Sequence, residues 1–574
     1  PTWNRIPPTI MNRRIIRRLL PVLLAGAALP LLCARTNDFG LGRSMEIAVN
    51  MMRELSLRFV DEVDPDLLIE GAAEGMVRRL DPYTEYLSEE QMGDFDILTT
   101  GKYGGVGSLI RKRGDYVVFA RPYRNSPADK AGLRIGDKIL AIDGADARGF
   151  SVAEASGRMK GDPGTEVTLV VEHLLDGRVD TATLRRERIA IPGVPYAGWV
   201  ADGIGYVQHS DFTEGCYDDL RAAVEGLAAE GDLRGLILDY RNNGGGILQE
   251  AVKILSMFVP KGTEVVTTRG RTDNKSFRTA ADPILPELPL AVLVNGNTAS
   301  AAEIVAGALQ DLDRAVIVGQ RSFGKGLVQS TRPLGYNTYL KLTTAKYYIP
   351  SGRCIQAVDY SRAREEGARS VPDSLIREYA TQGGRKVYDG GGIEPDLHTE
   401  PEYISRFAMT LYALGFIEDY GDRFMRLHPD RRVDVRTFAL TDADYADFVR
   451  FMSDKEVPYE STTRRALKAL RKAAGDERHE AIDRAAEALE AQLRDDTESN
   501  LETYRREIRS LLEADIVLRH HYAEGVIEYD ITHDDAEVRR AAEVLENPGE
   551  YRRILDTQDT VRTARHDDET DTEE

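Results

Sequence analysis

The chain has 574 residues, of which 42% are hydrophobic and 30% charged, and its formal net charge is −20. That length exceeds what one hydrophobic core serves, so three or four domains are expected, while the acidic balance argues against nucleic acid, whose phosphates need clustered Lys and Arg. The three cysteines, Cys33, Cys216 and Cys354, show neither metal-ligand spacing nor a disulfide framework, and no metal or cofactor is expected.

The residues ahead of Met11 read as a remnant upstream of the reading frame. Arg13, Arg14, Arg17 and Arg18 then precede an apolar run over 19–32, the layout of an export leader. The run is short for a membrane span, which needs ~20 apolar residues. Export to the periplasm, or to the periplasmic side of a bacterial membrane, is the expectation, with the leader of 1–44 as a candidate tether. Its cleavage stays open, because Leu32 is large for the position three before a cut after Ala34. A helical region is expected over 45–102, where Ile47, Met51, Leu55 and Phe59 recur at helical spacing. From Tyr103 the period shortens. Strands are expected at 106–111 and 116–121 around an Arg-Gly-Asp turn, at 138–142, and as a pair at 167–172 and 181–184. From Gly205 to about Ile349 apolar strands (233–240, 290–294, 315–318) alternate with helices (247–259, 299–309), which argues for an α/β layer structure. After residue 400 the pattern is helical. One stripe joins Ile482, Ala486, Leu489 and Leu493; another joins Tyr504, Ile508, Leu512 and Ile516. These stripes suit packing on the core, a partner, or a second copy of the chain. The acidic run 567–574 reads as a solvated, disordered tail.

Three segments carry candidate chemistry. In Asn295–Glu303 a strand ends, a turn follows, and a helix begins near Ser300, which puts a hydroxyl at the positive end of a helix among unpaired N–H groups. Alone, such a serine is usually an N-cap. A serine nucleophile needs a base, and no histidine stands in a triad context; His209 alone lies near the core strands. Lys325 is the alternative base, in the glycine-flanked stretch Gly324-Lys325-Gly326 after a buried strand. In an extended segment positions 325, 327 and 329 share a side, so Gln329 is expected to orient the amine. Alone, a lysine between glycines is a solvated turn residue. The third segment, Asp239-Tyr240-Arg241-Asn242-Asn243-Gly244-Gly245-Gly246, follows a buried strand, and its glycines let the backbone approach a ligand. Alone, it is a plain βα turn.

Together and in this order the three segments resemble the carboxyl-terminal processing (tail-specific) proteases. The match runs through Asp239, Arg241, Asn243, Gly245 and Gly246, then Ser300, Ala301 and Glu303, then Lys325 and Gln329. Leu80-Asp81-Pro82-Tyr83 and Gly391–Asp396 look like the start and close of that family's core. The resemblance covers about 45–400. It implies Ser300 as nucleophile, Lys325 as general base positioned by Gln329, and an oxyanion hole from the N–H groups of Gly245 and Ala301, with Asp239, Arg241, Asn243 and Glu303 in support. It also implies a multidomain α/β architecture: a β-rich PDZ domain at 103–186, a ClpP/crotonase-like protease core at 187–400 and a helical extension at 401–574. Gly104, Gly105, Val106 and Gly107 would form the loop that holds a terminal carboxylate. In Leu184-Arg185-Arg186-Glu187-Arg188-Ile189, Arg186 or one of the adjacent arginines aligns with a family arginine that couples the PDZ domain to the core. The partners implied are proteins or peptides with free C-termini; the C-terminal helices are candidates for self-association or an adaptor. Two rival readings are a non-catalytic PDZ adaptor and an acyl-group enzyme handling coenzyme A.

Overall fold

A computed structural model describes residues 37–272, 274–360, 369–493 and 496–556. Of the expected leader at 1–44, residues 1–36, with Cys33, lie outside them, as does the acidic tail at 567–574, while residues 37–44 open the helix Asn37–Arg58. Among the described residues no helix is long and apolar enough to cross a membrane.

The centre of the molecule is a six-stranded sheet in the order Tyr196–Ala201, Ile204–Gln208, Gly235–Asp239, Leu290–Val294, Val316–Gly319 and Leu397–His398. Its first pair is antiparallel and the rest are parallel. The middle strands are continuous apolar runs because both faces are covered. Leu236, Leu238, Val292 and Ile317 face one side, packing on the helices Cys216–Glu230, Leu248–Leu255 and Ala301–Asp311. Their alternates Ile204, Tyr206, Ile237, Leu293 and Val318 face the other, packing on Val538, Ala541, Leu545, Tyr551 and Ile554 of the last two helices. The extension therefore packs on the core, one of the three roles its stripes allowed. Its remaining helices have a core of their own, in which Ile508, Leu512 and Ile516 sit among Phe407, Tyr420, Phe424 and Phe448. The other expected stripe is only partly covered: Ala486 is buried, but Ile482 and Leu489 stay exposed.

A second sheet joins Glu85–Leu87, Thr338–Tyr348, Glu264–Gly270, Asn274–Arg278 and Leu327–Gly335. Its first strand corrects the expectation of helix throughout 45–102. Pro82 removes a backbone donor, and the Asp81 carboxylate accepts the N–H groups of Tyr83 and Thr84, both at 2.8 Å. That local turn stops the helical pattern and turns the chain into the strand.

The β-rich domain is a sheet in the order Ser108–Arg113, Tyr116–Pro122, Lys138–Ile142, Glu166–Glu172 and Val179–Arg185, with the helix Val152–Met159 across it. Val117, Phe119, Ile139 and Leu169 fill its interior. The strands Lys102–Gly105 and Glu187–Ala190 pair where the chain enters and leaves. On the far side Arg111 pairs with Glu418, and Arg113 with Asp419 and Asp422, tying this domain to the C-terminal helices.

Candidate active site

Ser300 sits at a strand–turn–helix junction. After Leu290–Val294 the turn is stitched by Thr298, whose hydroxyl accepts the Asn295 N–H at 2.9 Å and donates to the Tyr240 carbonyl at 2.8 Å. Ser300 then takes φ 57° and ψ −117°, a backbone position that a residue with a Cβ adopts only under constraint. The helix Ala301–Asp311 starts at the next residue. As the first residue of that helix, Ala301 has an N–H with no intrahelical acceptor, and the helix end favours negative charge.

One buried carboxylate connects this turn to the lysine segment. Glu303 Oε2 accepts the N–H of Ser300 at 2.7 Å and that of Lys325 at 2.9 Å; Oε1 accepts the N–H of Gly324 at 2.7 Å and the Ser322 hydroxyl at 2.5 Å. Burial pushes the Glu303 carboxyl upward from its ordinary pKa, and these four donors pull it back. Tyr347, fully buried, adds a second connection, with its hydroxyl within reach of the Ser300 carbonyl (3.1 Å) and the Lys325 carbonyl. The Lys325 amine lies 4.5 Å from the centre of the Tyr83 ring, a cation–π distance. Burial lowers its pKa and Lys341 adds to the fall, while Glu303, Glu85 and Asp81 act against it.

The glycine segment closes over the serine turn. Asn243, buried, donates its side-chain amide to the His209 carbonyl at 2.6 Å and accepts the Gly245 N–H at 2.8 Å; its own carbonyl takes the Ala299 N–H at 2.9 Å. Gly245 has φ 90°, and a Cβ there would come within 2.7 Å of both the Ala301 nitrogen and the Ser300 Cβ, so only glycine allows this approach. Asp239, at the end of its strand, accepts from the Tyr206 hydroxyl at 2.7 Å and from Arg241 through Nε and Nη2. His209 packs between Phe212 and Tyr240, at ring distances of 4.5 and 5.4 Å, and burial lowers its pKa to about 4. It is a core residue.

In the β-rich domain a groove of about 250 Å³ runs between the edge strand Ser108–Arg113 and the helix Val152–Met159. Gly105, Val106 and Gly107 line its head, and Leu109, Val152 and Met159 its length. Gly104 does not line it: its Cα faces the Gly161 carbonyl, which a Cβ would meet at 2.1 Å.

Residues 203–361 match Peptidase family S41, residues 118–173 a PDZ domain, and residues 407–545 the C-terminal helical domain of a probable PDZ-protease. A carboxy-terminal-processing protease of Bartonella bacilliformis is 39% identical over 315 residues, which are 54% of this chain and 72% of that protein. The chain belongs to peptidase family S41. The carboxy-terminal processing protease CtpA of Bacillus subtilis is 32% identical over 298 residues, 52% of this chain and 63% of that one. Among solved structures, a photosystem II D1 C-terminal processing protease is 27% identical, covers 62% of this chain and 87% of its own, and has a TM-score of 0.35. The chain is thus a serine-type peptidase with a PDZ domain and a helical C-terminal domain.

In this peptidase the fold brings Ser300, Ala301, Glu303, Lys325, Asn243 and Gly245 together, with Asp239 and Arg241 at the edge of the cluster. That Gln329 orients the amine remains the expectation, but the strand alternation argued for it does not hold. The strand begins only at Leu327, so strand alternation does not govern Lys325, whose segment is shaped by the bonds to Glu303. Gln329 donates its amide N–H to the Thr343 hydroxyl at 3.2 Å, and Thr343 donates to Asp81 at 3.1 Å. Arg186 binds the carbonyls of Met159, Glu166 and Arg158 and the Thr165 hydroxyl, all within the PDZ domain, which leaves the coupling role to its neighbours Arg185 and Arg188. Sequence reasoning missed Tyr347, which belongs to no motif, and the contact of Tyr83 with the lysine, although Asp81-Pro82-Tyr83 had been singled out.

Proposed function

We propose that this peptidase cleaves proteins selected by their free C-termini, with Ser300 as nucleophile and Lys325 as general base. The observation that carries this reading is the Glu303 carboxylate, which holds the backbone of both residues from one buried point. A lysine serves as base only when neutral, and its ordinary pKa of about 10.4 leaves almost none neutral near pH 7; burial and Lys341 move it in the needed direction. Ser300 Oγ attacks the scissile carbonyl carbon while its proton passes to Lys325 Nζ. The resulting ammonium lies against the Tyr83 ring face, which favours the charged form. The oxyanion takes the Ala301 N–H and that of Gly245, which gives up its bond to Asn243 in exchange. The tetrahedral intermediate expels the amine, which leaves with the proton from Lys325. Water then attacks the acyl-enzyme, again giving its proton to the lysine, which returns it to Ser300 Oγ as the bond to the acyl carbon breaks and the free acid departs.

The substrate's C-terminus adds a strand to the edge Ser108–Arg113, with its carboxylate at Gly105–Gly107 and an aliphatic side chain against Val152 and Met159. Turnover of a peptide acid and its C-terminal amide by wild type, Ser300→Ala and Lys325→Ala tests both halves. Both variants should be inactive, and the amide should be cleaved at least ~10-fold more slowly, about 1.4 kcal/mol for the lost charge-assisted bond. Activity surviving in Lys325→Ala would end the Ser–Lys reading; equal rates for acid and amide would end the PDZ reading.

A further inference from the structure

The helix Ala536–Glu546 does more than cover the sheet. Asp535 caps it, accepting the N–H groups of Glu537 at 3.0 Å and Val538 at 2.9 Å. The same carboxylate meets Arg241 Nη2 at 2.7 Å and Nη1 at 3.1 Å, and Glu537 Oε2 meets Nη1 at 2.6 Å. Arg241 holds Asp239 through Nε and Nη2, so its guanidinium is gripped between a strand end of the core and a helix start of the extension. The other oxygen of Glu537 lies against the Gln320 side-chain amide and 3.0 Å from the Thr399 hydroxyl.

Asp535 and Glu537 thus touch the ends of two core strands. After Asp239 the chain runs into the segment with Asn243 and Gly245; after Gly319 it runs through Gln320 to Ser322, Gly324 and Lys325. We propose that Asp535 and Glu537 are positioning residues for peptide hydrolysis: acting through Arg241 and Gln320, they fix the glycine segment and the lysine segment relative to Ser300. The proposal rests on the Ser–Lys reading and deepens it by giving the C-terminal helical domain a part in the reaction. Guanidinium forks paired with carboxylates set geometry as well as energy, and partly buried ion pairs define arrangement more than they add stability. Catalysis is sensitive to such arrangement, since a displacement of ~1 Å can cost ~100-fold.

The test uses the whole chain with Asp535→Asn and Glu537→Gln combined. Asparagine still caps a helix and glutamine keeps the shape of glutamate, so the helix start survives while the two charges the extension brings to Arg241 are removed and that of Asp239 stays. The expected result is a kcat at least ~10-fold lower, with KM within about twofold and binding of a C-terminal peptide to the PDZ groove unchanged. Arg241→Gln should lower kcat similarly, and adding Asp535→Asn to it should cost nothing further, because Asp535 acts on the core through that one side chain. A kcat within about twofold of wild type in the double variant overturns the proposal, and so do losses that multiply when Asp535→Asn is combined with Arg241→Gln. If the double variant loses its cooperative unfolding transition, Glu537→Gln alone, which leaves the Asp535 cap intact, is judged by the same criterion. Ser300→Ala and Lys325→Ala are run alongside. Turnover surviving in either defeats the Ser–Lys reading itself, whereas loss in both with a wild-type double variant defeats only the positioning role.

Discussion

Replacing Glu303 by glutamine tests the hub of the site without changing its size. Each carboxylate oxygen accepts two donors, so either orientation of the amide turns its NH2 onto donors. Turned toward Ser300 and Lys325, it leaves two buried backbone N–H groups unpaired, about 2–6 kcal/mol at ~1–3 kcal/mol each. Turned toward Ser322 and Gly324, it leaves only the Gly324 N–H unpaired, since the serine hydroxyl can accept, and the cost is about 1–3 kcal/mol. The second orientation wins, so Glu303→Gln should fold with a thermal midpoint a few degrees lower. Ser300 and Lys325 keep their anchor in that orientation, and activity at its plateau should survive in part. The pH profile carries the sharper test. The Glu303 charge holds the Lys325 pKa up against the pull of burial. Without it the amine loses its proton at lower pH, and because the neutral amine is the base, the rising limb of kcat/KM against pH should move to lower pH. Stopped assays on a fluorogenic peptide would resolve this. A limb that stays put or moves up, in a variant that folds, refutes the electrostatic role given to Glu303.

Gly245→Ala would place a methyl group 2.6 Å from the Ala299 carbonyl oxygen and 2.7 Å from the Ala301 nitrogen, atoms that cannot swing aside. A kcat loss of ~100–1,000-fold is expected, the scale of losing an oxyanion donor, with PDZ peptide binding intact; near-normal turnover would remove Gly245 from the oxyanion hole. The export expectation is checked by fusing residues 11–45 to a reporter that works only outside the cytoplasm, and a silent fusion would sink it.

Much of the site was legible because its chemistry sits where buried strands end. Asp239, Asn295 and Gln320 each stand at the close of an apolar run, and the turns that follow them carry Gly245, Ser300 and Lys325. The role of Glu303 as a four-way acceptor was not legible, since a glutamate in the first turn of a helix reads as a favourable charge and nothing more. The alternation argument for Gln329 extended a strand two residues ahead of its true start at Leu327. Arg241 pairs with Asp535 across 294 positions of sequence, a separation over which no periodicity carries information. Ile237, Ala291, Leu293, Val316 and Val318 make the central strands apolar on both faces, which demands a second covering layer, and the amphipathic helices near the C-terminus were there to supply it.

That second layer has a consequence for biosynthesis. The last strand of the central sheet ends at His398, but the helices covering its outer face run to Asp556, about 160 residues later. At a synthesis rate of ~5–20 residues per second, the interval is roughly 10–30 s. Throughout it the face bearing Ile237, Leu293 and Val318 has no cover from its own chain, and Arg241 has neither Asp535 nor Glu537. A nascent peptidase therefore cannot complete the contacts around Arg241 before the helix at Asp535 has been made, which leaves a sticky intermediate for chaperones to shield.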